Sequence, residues 1–286
     1  MIRSIPAMGT IVTIQVEGHD ADPVIERAFG WFQTIEGRCS RFDPQSELMR
    51  LSASVGVPVP VSPVLFEAVG FALAVSRETE GAFDPAVGQA MQARGYNREY
   101  RTGAPLVAEA EADAGVSYRD IHLDPESRSV TLRRSLTLDL GAVAKGFALD
   151  MAARELQAFE DFAIDAGGDL YLRGSNPNGR PWSVGIRHPR HDGECIESLC
   201  VSDQAVCTSG DYERGRHILD PRTGEAADSA ASVTVLAPTA MMADALATAA
   251  FVLGPVEGIR LLDRMGVDGI IFTPALVRHA TRGLRS

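Results

Sequence analysis

The feature that most constrains the fold of this chain is a run of short strand-like segments between residues 162 and 237. Turn signals divide this run, and they read AGGD, NPNG, HPRHDG and DPRTG. Glycine, proline, asparagine and aspartate are typical of turns because they accept the backbone angles that a chain reversal imposes. The pattern therefore predicts several short strands in the second half of the chain.

Helical patterns flank this run. Residues 63–80 begin at Ser-Pro, which is a good helix start because serine can cap the first turn and proline suits the first helical position. The other predicted helices cover 21–38, the stretch that follows residue 140, 240–253 and 255–265. The other predicted strands are an early one at 10–18, then 120–124, 128–133, 134–140 and DGIIFTP near the end, with loops in 94–120. This mixture predicts an α+β fold, with mixed sheets and flanking helices in a single domain over 1–286.

Charge and cysteine content narrow the function. Lys and Arg number 27 against 38 Asp and Glu, and the net charge of −11 argues against a nucleic-acid partner. Four cysteines without a C-x-x-C pair favour reduced core thiols over a disulfide framework. The start has no leader-like apolar segment, and the apolar run at 240–254 is too short for a membrane span. We expect a cytoplasmic protein, or a periplasmic one if the sequence is trimmed.

The stretch DLGAVAKGFALD, residues 139–150, places Asp139 and Lys145 among small apolar residues at a predicted strand-to-helix junction. It departs from the P-loop pattern because its lysine precedes the second glycine and phenylalanine follows it. Helix-terminal amides with a nearby lysine can nevertheless bind an anion. The alternative is a closely packed turn with a lysine that reaches out to solvent.

A second stretch, MADALATAAF at 242–251, carries Asp244 and Thr248 four residues apart. On a helix they share one face, about 5–6 Å apart at Cβ. A carboxylate and a hydroxyl on an apolar face are costly unless a partner satisfies them, and a hard cation such as Mg²⁺ would do so. The alternative is a threonine bonded to its own helix and an aspartate that caps the first turn.

A third stretch, GRHILDPRTGE at 215–225, has His217 before a turn that contains Asp220. This histidine is a candidate general base, because the carboxylate could orient its ring and raise its basicity. A structural or surface histidine is the alternative.

Two further stretches pair an aromatic residue with Asp-Pro, SRFDPQSEL at 40–48 and GAFDPAVG at 81–88. They suit either turn chemistry or stacking on a planar ring.

The glycines of IDAGGDLYLRG, residues 164–174, favour a structural turn between two strands.

Taken together and in this order, these segments resemble the ApbE family, the FAD:protein FMN transferases. AMGT at 7–10, TSGDYER with HILDPRTG within 208–224, and ADALATAAFVLG at 243–254 complete the likeness. The resemblance spans nearly the whole chain. It implies an ApbE-like, T-fold-related architecture and an enzyme that uses Mg²⁺, moves FMN from FAD to a threonine of a target flavoprotein, and releases AMP.

The resemblance also implies the site residues. Mg²⁺ would be held by the backbone carbonyl of Ala142 and by the side chains of Asp244 and Thr248. His217 would be the general base, with Asp220 beside it. The flavin-binding positions would be Met8, Phe42, Ala82, Phe83, Asp84 and Lys145, with Lys145 neutralising the pyrophosphate.

Two other functions remain open from the sequence. One is a Mg²⁺-dependent FAD pyrophosphatase that gives FMN and AMP, in which water replaces the threonine. The other is a flavin-binding protein without catalysis. Both would use the same residues.

Overall fold

The structure is a computed structural model that describes residues 1–18, 21–97, 115–212 and 217–284. The strands are β1 Ile2–Ala7, β2 Thr10–Val16, β3 Val59–Pro60, β4 Ile121–Asp124, β5 Ser129–Leu132, β6 Phe162–Ala166, β7 Asp169–Arg173, β8 Trp182–Arg187, β9 Cys195–Val201, β10 Gln204–Gly210, β11 Ser232–Ala237, β12 Asp268–Phe272 and β13 Arg278–Ala280. The α-helices are α1 Asp22–Cys39, α2 Glu47–Ser52, α3 Pro63–Glu78, α4 Gly88–Ala93, α5 Gly141–Glu155 and α6 Ala240–Met265. The predicted α+β class is confirmed.

Eight strands form one sheet in the order β1-β2-β6-β7-β10-β11-β12-β13. Between the named strands of the described residues all pairing is antiparallel, so these sheets are not mixed in direction. The turns recognised in the sequence explain this for the β6–β7 and β8–β9 pairs, because short reversals bring consecutive strands together in opposite directions.

The two faces of the sheet bury different layers. On β10, β11 and β12, alternate residues point to opposite faces, as the period of a strand requires. Cys207, Val235 and Ile271 face the core that includes the helices, whereas Val206 and Leu236 face the β8–β9 hairpin. Every residue of β11 is buried, because both of its faces are covered.

Helix α6 lies against this sheet and against α5. It is long and apolar enough to pass for a membrane span by composition, but 67% of its most apolar window is buried inside the fold. Gly254 breaks its regularity with φ 77° and ψ −179°, directly before Pro255. The predicted division into two helical segments at this point is confirmed.

Several local predictions are confirmed and one is wrong. Ser62 accepts the Leu65 amide and starts α3, as its Ser-Pro sequence predicts. The predicted early strand at 10–18 is confirmed as β2, and it forms a hairpin with β1 because Met8 and Gly9 both adopt positive φ, at 49° and 78°. Two successive residues of that kind are typical of the tight turns that join antiparallel strands.

Residues 134–140 do not form the predicted strand. Leu136, Leu138 and Leu140 are buried with the spacing of a strand, so the apolar pattern is real. The backbone instead makes separate bonds to residues 85–88, from Asp139 N to Pro85 O and from Gly88 N to Thr137 O. Of the predicted loop region 94–120, residues 98–114 lie outside the described residues.

Candidate active site

The predicted site residues line one cavity of about 510 Å³. It receives residues from the β1–β2 turn, the segments after α1 and α3, the start of α5, the end of β10, the segment after residue 216, and α6. The lining includes these predicted residues: Met8, Phe42, Ala82, Phe83, Asp84, Ala142, Lys145, His217, Asp244 and Thr248. The described lining does not include Asp220. Residues up to 240 positions apart in sequence therefore share one cleft.

Phe42 provides an aromatic surface in the cavity, and the guanidinium of Arg41 lies over its ring at 4.1 Å from the centroid. Arg41 is almost fully buried, and it donates to Asp139 Oδ2 at 2.6 Å and to the backbone oxygen of Tyr96 at 2.8 Å. These bonds fix the loop that carries Phe42 against the start of α5. The phenylalanine is thus held in place by a charged neighbour that the sequence motif does not reveal.

Asp84 binds backbone amides with both carboxylate oxygens. Oδ1 accepts from Ala86 N at 2.8 Å and Oδ2 accepts from Tyr118 N at 2.9 Å. Burial raises the pKa of this carboxyl, against the lowering effect of the two amides. Asp84 therefore organises its turn, as the turn interpretation predicts, and it also lines the cavity; stacking of the motif on a planar ring stays a prediction.

The magnesium hypothesis rests on oxygen donors, and the structure brings those donors to the same cavity. Asp244 is 8% exposed, and Thr248 Oγ1 lies 3.3 Å from Ser209 Oγ on β10. Ala142 departs from helical geometry, with φ −90° and ψ 20° in the first turn of α5. A carboxylate, a hydroxyl and a backbone carbonyl are the hard ligands that Mg²⁺ prefers, so the donor set fits this ion.

The described residues show no site for a softer metal, one that prefers nitrogen or sulfur ligands. No three His, Cys, Asp or Glu side chains of this part of the chain are arranged to hold a metal ion. Cys39 also lines the cavity, but burial raises the pKa of its thiol to about 12. It is therefore a neutral thiol at physiological pH rather than a nucleophile.

Lys145 forms an ion pair with Oδ2 of Asp169, whose side chain is only 3% exposed. The other oxygen of Asp169 accepts the amide of Thr208 at 3.1 Å. The lysine is thus held over the inner part of the cavity by a carboxylate from β7. Its ammonium group places a positive charge in the lining of the cavity.

His217 lines the cavity and meets the ring of Tyr96 edge-on, with 6.2 Å between centroids. Asp220, the predicted partner of His217, makes its hydrogen bonds to Arg222. Its carboxylate binds the Arg222 guanidinium at 2.8 and 2.9 Å and the Arg222 amide at 2.9 Å. Hydrogen bonding to Arg222 lowers the pKa of Asp220. These contacts stabilise the turn after His217, and the assignment of Asp220 to catalysis stays a prediction.

The sequence interpretation missed several residues of the cavity: Arg41, Tyr96, Asp169, Thr208 and Ser209. Arg41 and Asp169 stand inside motifs that were recognised for other reasons, the first beside Phe42 and the second after the glycine turn. Both residues are charged, and a buried charge needs a partner, so the charge itself was the available signal.

The chain is similar to known proteins along most of its length. The model of the ApbE family matches residues 8–271. The FAD:protein FMN transferase of Haemophilus influenzae is 32% identical over 80% of this chain and 72% of its own length. The one from Escherichia coli is 29% identical over 93% of this chain and 82% of its own.

Solved structures with the same fold include two ApbE proteins. The ApbE protein of Thermotoga maritima superposes with a TM-score of 0.87 at 29% identity, over 99% of this chain and 97% of that one. The flavin transferase ApbE of Vibrio cholerae superposes with a TM-score of 0.86 at 25% identity, again over 99% and 97% of the two chains.

Proposed function

This chain belongs to the ApbE family, and we propose that it is an FAD:protein FMN transferase that carries FMN to a threonine hydroxyl of an acceptor flavoprotein. The observation that carries the proposal is the set of residues that line this cavity. Phe42 and Phe83 offer aromatic surface, Lys145 offers positive charge, and His217 offers a base within the same 510 Å³. A flavin ring, a pyrophosphate and an incoming hydroxyl need these three kinds of group.

The reaction replaces one oxygen on phosphorus by another. The threonine oxygen attacks the phosphorus of the FMN half of FAD, and the bond from this phosphorus to the bridging oxygen breaks. AMP leaves with the bridging oxygen, and FMN stays bound to the threonine as a phosphoester. His217 takes the proton of the hydroxyl as the new bond forms, which is the role of a general base.

Lys145 binds the pyrophosphate. Negative charge increases on the phosphoryl oxygens as the bond to AMP breaks, and a fixed ammonium stabilises that charge. Asp169 holds the ammonium in the cavity before substrate arrives. The ion pair therefore reduces the reorganisation that the site needs when FAD binds.

Asp244, Thr248 and the carbonyl of Ala142 would hold Mg²⁺. When bound, this ion would act as a Lewis acid on the phosphoryl oxygens. The three donors come from two helices that pack against each other, so the site depends on how α5 and α6 are docked.

We also propose a reducing compartment, in agreement with the cytoplasmic location expected from the sequence. The support is that all four cysteines carry free thiols, two of them buried and two exposed on β9. Exposed thiols persist where the surroundings are reducing.

The test is to incubate the protein with FAD and Mg²⁺, with and without candidate acceptor flavoproteins. We expect a mass gain of one FMN on the acceptor, loss of this gain when its target threonine is replaced by alanine, and release of AMP. Free FMN formed at the same rate without acceptor would favour the pyrophosphatase. FAD that stays intact in every mixture would contradict both activities and favour a non-catalytic flavin-binding protein.

A further inference from the structure

A buried carboxylate joins the two helices that carry the proposed metal ligands. Asp150, near the end of α5, accepts the amide of Ala240 at 2.7 Å and the amide of Met241 at 3.0 Å. These are the first two residues of α6, and Asp150 is 8% exposed. The bonds tie the body of one helix to the first turn of the other.

The start of α6 does not need this carboxylate for a local cap. Thr239 already accepts the Met242 amide at 3.3 Å and supplies its carbonyl to Ala243 N at 3.0 Å. A threonine cap of this kind is the ordinary solution at a helix start. Burying the Asp150 carboxylate costs more free energy than a threonine cap. Its presence therefore indicates that the position of α6 relative to α5 matters for the protein.

Gly146 allows a closer approach of α5 to the first turn of α6, where Asp150 also binds. A Cβ added there would lie 2.5 Å from the Ala240 oxygen and 2.6 Å from the Met241 Cα. Both obstacles are backbone atoms, which cannot turn aside as the end of a side chain can. The glycine thus lets α5 approach the start of α6 more closely than any other residue would.

The spacing connects this contact to the metal ligands. Ala142, Gly146 and Asp150 follow one another at intervals of four, so they share one face of α5. On α6, Ala240, Asp244 and Thr248 repeat the same interval. A shift of the Asp150 contact along either helix would therefore change the distance between the Ala142 carbonyl and the Asp244–Thr248 pair.

We propose that Asp150 is a positioning residue for the metal site, and that it sets metal affinity by holding the start of α6 against α5. This inference rests on the proposed function, since it takes Ala142, Asp244 and Thr248 as the metal ligands. Groups that orient metal ligands affect binding by about 10–100-fold when they are changed.

The test compares Asp150→Asn with Asp161→Asn. Asparagine keeps the shape of the side chain, but it has one acceptor oxygen and places an amino group against an amide donor. Asp161 is a matched control, because its Oδ1 accepts the amide and hydroxyl of Ser175 at 2.6 and 3.0 Å, away from the two helices. Binding of Mn²⁺, measured by electron paramagnetic resonance without turnover, is the first readout.

We expect D150N to bind Mn²⁺ about 10–100-fold more weakly, and to need correspondingly more Mg²⁺ for half-maximal transfer. Its kcat at saturating Mg²⁺ should stay close to that of the parent, because the ligands themselves are intact. D161N should bind Mn²⁺ like the parent. Equal Mn²⁺ affinity in folded D150N and the parent would overturn the inference, as would equal weakening in D161N.

A second variant covers the case in which D150N does not fold. Gly146→Ala keeps the carboxylate but pushes the helices apart, and it should weaken Mn²⁺ binding in the same direction; unchanged binding would contradict the inference. Asp244→Asn separates this inference from the proposed function. If neither D244N nor D150N alters Mn²⁺ binding, the assigned metal site itself is wrong, whereas an effect of D244N alone contradicts only the role of Asp150.

Discussion

Arg41 Nε donates to Asp139 Oδ2 across 2.6 Å, and this ion pair joins the aromatic end of the cavity to the helix that carries Lys145. The arginine side chain is 3% exposed and the aspartate side chain 16%. The second oxygen of Asp139 accepts the amide of Gly141 at 2.7 Å, at the start of α5. One carboxylate therefore organises the helix start and holds the arginine under Phe42.

The first prediction concerns this pair. Replacing Arg41 by methionine should lower the free energy of unfolding by about 3 kcal/mol, because it removes the guanidinium from a largely buried carboxylate. Adding Asp139→Asn should restore part of the loss. Urea denaturation of the two single variants and the double variant measures the coupling. The matched control is Arg3→Met, since the Arg3–Asp22 pair is about half exposed and should cost less than about 1 kcal/mol. Equal costs at the two sites would contradict the prediction.

The second prediction concerns Asp244, the proposed metal ligand on α6. Asp244→Asn should remove the stimulation of transfer by Mg²⁺ and reduce the rate by on the order of 10²-fold or more, since a bound metal supplies several kcal/mol of transition-state stabilisation. A Mg²⁺ titration of FMN transfer measures this effect. Asp165→Asn is the control, because Asp165 is exposed, accepts the Gly168 amide and lies outside the cavity lining. Mg²⁺-stimulated turnover that persists in D244N would count against the site.

The third prediction concerns His217, the proposed general base. His217→Ala should slow FMN transfer by about 10²–10⁴-fold, the usual contribution of a general base, while the affinity for FAD changes little. Single-turnover transfer and flavin fluorescence titration measure the two quantities separately. His122→Ala is a suitable control because His122 is exposed on β4, outside the cavity lining. An H217A variant that transfers FMN at the parent rate would refute the role.

The fourth prediction follows from the buried carboxyl of Asp150. Burial raises its pKa to about 6, although the amides of Met241 and Ala240 oppose the shift. The folded protein keeps this proton where the unfolded chain has lost it, so the stabilisation present at about pH 4 is lost as pH rises through about 6. The parent should therefore lose roughly 3 kcal/mol relative to D150N between pH 4 and pH 7. Urea denaturation of both proteins at several pH values measures this, and a constant difference would contradict the shift.

The sequence predicted most elements of this fold because their signals are local. The start of α3 depends on Ser62 and Pro63, and the break in α6 depends on Gly254 before Pro255. Each signal acts within a few residues, so it can be recognised without knowing what the element packs against. The predicted strand at 134–140 failed for the opposite reason. Its apolar period was correct, but a strand also needs a neighbouring strand, and the segment has only isolated bonds to residues 85–88.

By itself, the sequence determined which residues are candidates for the chemistry: the lysine in a small-residue helix start, the acid and hydroxyl four apart on an apolar helix, and the histidine before a turn. Only the tertiary structure decided their partners. Lys145 meets Asp169 and Arg41 meets Asp139, and in neither pair are the two residues neighbours in sequence. Asp220, the obvious sequence neighbour of His217, binds Arg222 instead. The physical reason is that hydrogen bonds and ion pairs depend on distances of a few ångströms, which the packing of α5, α6 and the sheet sets.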